Sequence, residues 1–139
     1  MGEKSKSQPK YKLDTKNEHE NTSSLSVLIA ERKCYQHRPV ENQHSVLDTR
    51  PEDHIREVRE HCSTTPDYLL PDTPIKEAIF RMMIASGNKA VTPLQVSDDL
   101  SNRWATSGQP RYISESVVQK IMDNSKNWFI HPVVDQKRR

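Results

Sequence analysis

Residues 75–86, "IKEAIFRMMIAS", constrain this chain most, because as a helix they are apolar on two opposite sides. At about 100° per residue, Ile79, Met82, Met83 and Ser86 fall near the direction of Ile75, while Phe80 and Ile84 fall nearly opposite. Only Glu77 and Arg81, an i,i+4 pair, make a clear polar strip. A helix apolar on both sides needs cover on both sides, so this segment predicts the centre of a core. With 139 residues, 32% of them hydrophobic, and a mean hydropathy of -0.91, the chain has room for one domain. Only part of it can bury a core.

The flanks carry helix start and stop chemistry. Thr73 is placed to cap and Pro74 to open a first helix near 74–86, with Gly87-Asn88 as its stop. Thr92 then caps Pro93, and Gln95 completes a T-x-x-Q capping box, with Val91 and Val96 placed to staple across it. That second helix should run to about Trp104. After "ATSGQP", Ser114 is placed to cap a third helix ending around Asn124, and "NWFIHPVV" reads as a strand on which Trp128 and Phe129 alternate faces.

Cover for the central helix can come from upstream. "SSLSVLIAERKCY" is short and β-branched enough to leave helix and strand both open, with helix preferred. "RPEDHIREVREHC" predicts an amphipathic helix: Pro51 suits its first turn, Glu52 and Asp53 its positive end, and Ile55, Val58 and Cys62 share a face. Residues 1–23 hold Lys4, Lys6, Lys10, Lys12 and Lys16 among polar residues, with Tyr11 and Leu13 the only bulky apolar groups after Met1, and read as a disordered tail. The expected organisation is thus tail (1–23), N-terminal helical segments and connector (24–71), and a C-terminal domain (72–139).

Helix, turn, helix, a short extended "RYI", a third helix and an apolar strand: this order resembles a winged-helix domain. The likeness rests on "TPIKEAIF", "VTPLQVSDDLSNRW" and "ISESVVQKIM" and covers the last half of the chain. The expected fold is mainly α, a winged-helix-like three-helix core with a small two-stranded β element and flanking N-terminal helices. The resemblance implies that Arg111 to Ile113 pair with Trp128 to Ile130. Only "VDQKRR" follows Pro132-Val133, without hairpin turn chemistry, so the wing is truncated or missing.

The resemblance also implies that the third helix enters a major groove, with DNA, RNA or a protein of the transcription machinery as partner. With Val117, Val118, Ile121 and Met122 inward, the outward side is Glu115, Ser116, Gln119, Lys120 and Asp123. Gln119 and Lys120 are candidates for base edges, and Arg103, Arg111 and Lys126 for phosphates. Charge supports this only mildly. The net charge is +2, and residues after Tyr68 carry 10 Lys and Arg against 7 Asp and Glu. The alternative is a protein-interaction adaptor docking through Phe80, Ile84, Trp128 and Phe129.

Cys34 and His37 have a C-x2-H spacing that His61 and Cys62 would complete as a zinc set. Adjacent helical residues point about 100° apart, however, and do not usually share one ion, so no metal is expected. No Ser/His/Asp order, paired-carboxylate setting or glycine-rich phosphate loop is present, and three glycines leave little for a phosphate cradle. The chain therefore reads as non-enzymatic and cofactor-free. "MGEKSKSQPK" lacks the apolar run of a secretory signal and fails the myristoylation pattern at Lys6, so a cytoplasmic location with reduced thiols is expected and a nuclear one stays open.

Overall fold

The computed structural model of the protein describes residues 9–15, 22–34 and 49–133. In chain order these form β1 (Tyr11–Leu13), α1 (Thr22–Ala30), α2 (Pro51–Glu60), α3 (Ile75–Ala85), α4 (Pro93–Ala105), α5 (Glu115–Asp123) and β2 (Ile130–Pro132). Short 3₁₀ turns follow α2 (Cys62–Thr64) and α5 (Lys126–Trp128). The fold is mainly helical with one small antiparallel sheet.

Helix α3 is the centre that its two-sided pattern demands. Ala78, Ile79, Phe80, Met82, Met83 and Ile84 are all buried. Helices α4 and α5 pack on each other and on α3, while α2 packs on α3 and α1 packs on α2. Leu25 and Ile29 of α1, and Ile55, Val58 and Cys62 in or after α2, join Val96, Leu100, Trp104, Val118 and Met122 in one core. The second apolar side of α3 is thus covered within the chain.

The two Thr-Pro pairs start their helices differently. Thr92 closes the capping box: its Oγ1 accepts from Gln95 N at 3.1 Å and its own N–H donates to Gln95 Oε1 at 2.9 Å. The corresponding partner of Thr73 is Lys76, a cation with no acceptor. Pro74 accordingly takes the N-cap position without any side-chain cap, and α3 begins at Ile75, correcting the expected Thr73 cap. Ser114 caps α5 as expected, its Oγ accepting from Val117 N at 3.3 Å.

Helix α3 stops in a Schellman motif. Gly87 N donates to Ile84 O at 2.9 Å and Asn88 N to Met83 O at 3.1 Å, with φ of +80° at Gly87 and +63° at Asn88. A Cβ on Gly87 would also lie 2.9 Å from Arg59 Nη1 on α2. Gly87→Ala should therefore cost about 1–2 kcal/mol, measured as a lower denaturant midpoint at unchanged slope.

The sheet overturns two expectations. Residues 9–15 are not part of a disordered tail: Tyr11 and Leu13 are 1% and 2% exposed, and β1 pairs antiparallel with β2, Tyr11 opposite Pro132 and Leu13 opposite Ile130. On its other edge Tyr11 exchanges backbone hydrogen bonds with Val91, at 2.8 and 3.0 Å. The Asn88 carboxamide extends this edge, accepting from Leu13 N at 2.8 Å and donating to Leu13 O at 3.1 Å. Two buried side chains and a saturated backbone outweigh the polar composition around them.

Arg111–Ile113 do not pair with Trp128–Ile130. Ile113 instead bonds side chains of α4, its N–H donating to Ser101 Oγ and its carbonyl accepting from Ser97 Oγ. Phe129, at φ +67°, turns the chain left-handed, so the expected strand shrinks to Ile130–Pro132 and Trp128 and Phe129 are not on it. The strand beside β2 is β1, from the other end of the sequence.

Candidate nucleic-acid interface

Helix α5 buries Val118 and Met122 against the core and half-buries Ile121. Its exposed side is Ser116, Val117, Lys120, Asp123 and Asn124, while Glu115 and Gln119 are half-buried. Val117, expected inward, is 41% exposed. The positions 117, 120 and 124 lie one turn apart, so the outward stripe is rotated toward Lys120 and away from Glu115.

Gln119 is drawn to the Tyr11 side chain, whose hydroxyl donates to Asp123 Oδ1. Burial, with the hydrogen bond and charge of Asp123 added, pushes the Tyr11 phenol up to about 12. The hydroxyl therefore stays protonated and holds Asp123 against β1. One of the two base-edge candidates is thus partly committed. Lys120 is exposed and makes no ion pair among the described residues.

Arg103 is exposed on the last turn of α4, and Lys126 is exposed in the turn after α5. Arg111 is half-buried and partly committed within the fold. Its Nη1 donates to Pro71 O at 2.7 Å and Thr73 O at 2.6 Å, and its guanidinium lies 4.9 Å from the Trp104 ring centroid. It clasps the linker before α3 to the end of α4 through stacking and two carbonyls.

Among the adaptor candidates, Phe80 and Ile84 are fully buried and so cannot meet a partner: the covering layers leave no α3 surface at these residues. Trp128 is half-buried, its ring meeting Phe80 edge-on at 5.3 Å with Arg32 and Lys76 over it at 5.2 and 4.6 Å. Phe129 is half-buried, and its carbonyl accepts from Asp14 N at 2.8 Å.

One surface residue, Tyr112, escaped the sequence reading, and two others, Lys10 and Lys12, fall in the stretch expected to be a disordered tail. Tyr112 is 76% exposed two residues before the α5 cap, and Lys10 and Lys12 are exposed just before and on β1. Period-two alternation carries the signal in both places. Ile113 points inward, so Tyr112 points out; Tyr11 and Leu13 point inward, so Lys10 and Lys12 point out.

Away from this face, Arg32 donates from Nε and Nη2 to both oxygens of Glu77 at 2.8 Å each, and Arg81 Nε adds a third bond at 2.6 Å. Arg32 Nη1 also donates to Leu28 O, and Arg81 Nη1 to Tyr68 O. Burial raises the Glu77 carboxyl, but hydrogen bonds and charge from Arg32 and Arg81 outweigh it and hold the group below its ordinary value. This network ties the end of α1 to α3.

Of the cysteine and histidine set, Cys34 and Cys62 lie together and hydrogen-bond, His61 is exposed at the end of α2, and His37 lies outside the described residues. Among the described residues no three His, Cys, Asp or Glu side chains gather as a metal site, and no helix is long and apolar enough to cross a membrane. Comparison with protein-family models, curated proteins and solved structures gives no match.

Proposed function

We propose that the chain is a non-enzymatic nucleic-acid-binding protein of transcription-associated type that presents the outward face of α5 to duplex DNA. The observation that carries this reading is the exposed stripe of Ser116, Val117 and Lys120 on the last of three packed helices. In it an unpaired cation stands beside a hydroxyl and an apolar group. The likeness of α3–α5 and β2 in order to a winged-helix unit supports the same choice. Arg103, Lys126 and the β1 lysines Lys10 and Lys12 supply the remaining exposed cations. Lys120 reads base edges or a groove phosphate; Tyr112 supplies a planar face at the helix entrance.

Such a surface gains affinity by releasing counterions, at about one unit of log-log salt slope per phosphate neutralised. With three to four contacts, the association constant should fall with a slope of about -3. Lys120→Ala should weaken binding and reduce that slope by about 1. Arg111→Ala should act mainly on stability, because it removes the Nη1 bonds to Pro71 and Thr73. Titration of a labelled duplex at low and moderate salt checks both; absent or salt-insensitive binding rejects the proposal.

A protein-docking reading has its own support in the exposed apolar groups Tyr112, Val117 and Leu94. It differs in outcome: affinity for a partner protein would survive salt and depend on Tyr112 and Val117 rather than on Lys120.

A further inference from the structure

We infer that Cys34 and Cys62 form a built thiol pair that a peroxide converts to an intramolecular disulfide. Cys34 follows α1 and Cys62 follows α2, and these two helices pack on each other. Lys33, the neighbour of Cys34, is buried in an ion pair with Glu57 of α2, which fixes this stretch of chain against the end of α2. There the Cys62 sulfur accepts a hydrogen bond from the Cys34 backbone, and its thiol donates one to the Cys34 sulfur. The two thiols are therefore hydrogen-bonded to each other before any covalent bond forms.

The two thiols are unequal in the way a sequential oxidation needs. Cys62 is fully buried, while Cys34 is half-buried and opens on a cleft of about 260 Å³ lined also by Thr65, Asp67, Tyr68 and Arg81. A small oxidant reaches Cys34 first. Burial pushes the Cys62 thiol up to about 11, which keeps it from reacting directly and leaves it as the resolving partner.

In the first step the Cys34 sulfur, as thiolate, attacks one peroxide oxygen. The O–O bond breaks, an S–O bond forms, and the departing oxygen leaves as hydroxide and takes up a proton. In the second step the Cys62 sulfur gives up its proton and attacks the Cys34 sulfur; the S–S bond forms and the S–O bond breaks with loss of water. For hydrogen peroxide the balance is two thiols oxidised by two electrons and one peroxide reduced to two waters. The product closes the loop from residue 34 to 62 and restricts the unfolded chain.

The test treats the full chain with hydrogen peroxide, alkylates the remaining thiols and reads intact mass and melting temperature. Both thiols should disappear together with a mass loss of about 2 Da. The chain should stay monomeric, melt several degrees higher, and revert with a dithiol reductant. Cys34→Ser, at a half-exposed site, should leave Cys62 alkylatable once unfolded. Three results would overturn the inference: oxygen retained on Cys34 with Cys62 still alkylatable, a covalent dimer as the main product, or both thiols persisting while an exposed reference thiol is oxidised. None of these readings requires a Cys62 variant to fold.

Discussion

Glu77→Ala should lower the unfolding free energy by about 3 kcal/mol at neutral pH, because it leaves the Arg32 guanidinium in the interior without its counter-charge. Arg32 is 9% exposed and lies over both Phe80 and Trp128, 4.8 and 5.2 Å from their ring centroids, which are apolar faces that offer no replacement for the lost carboxylate. The Leu28 carbonyl and the distant, solvent-exposed Glu31 carboxylate at 3.8 Å would remain on it. Replacing both charges, as Arg32→Met with Glu77→Leu, should cost much less than the sum of the single changes, since no unpaired ion is then buried. Urea denaturation of the two single variants and the double variant measures the coupling. The same carboxyl sets an acid limb. Its folded pKa is depressed, so its stabilisation is fully present above the ordinary carboxylate value of about 4.3 and is lost as pH falls through the lower folded value. The wild type should lose stability on acidification below that point, and the double variant should lose less.

Leu13→Ala should cost about 3 kcal/mol, the usual scale for emptying a fully buried leucine site. For a residue in a lysine-rich N-terminal stretch, that loss would be inexplicable if the stretch were a tail. Leu13 is 2% exposed, and both of its backbone groups are held by Asn88. Asn88→Gly keeps the left-handed conformation and removes the carboxamide, so it should produce a smaller loss of about 1–2 kcal/mol. Lys12→Ala, one residue away and exposed, should change stability by no more than about 0.5 kcal/mol. Thermal unfolding of the three variants separates a buried strand from a surface segment.

The helices were legible because their signals are local. Gln95 three residues after Thr92, Ser114 before Glu115, and Gly87-Asn88 after Ala85 each act within one turn of chain. The same reading misplaced the start of α3, where Lys76 cannot return the bond that Gln95 returns. The sheet was not legible, since it joins Tyr11 to Pro132 across almost the whole chain and each strand has only three residues. Too few positions exist there for a period to stand out from a polar background.

The candidate interface shows the same division. Lys120 was placed outward by helical periodicity alone, and it is exposed. Arg111 carried no local mark of its fate, because Pro71, Thr73 and Trp104 reach it only through folding of the linker. Phe80 and Ile84 were open to two readings because cover from α1 and α2 and cover from another protein satisfy the same apolar pattern.

The central claim is that the outward face of α5 is the contact surface, and backbone amide shifts recorded while a short DNA duplex is titrated into the protein test it most directly. The account predicts that the largest changes fall between Tyr112 and Lys120, with smaller ones at Lys10, Lys12 and Lys126, and that they vanish on adding salt. Changes confined to the cleft beside Cys34 and Tyr68, or none at duplex concentrations well above the protein's, would contradict it.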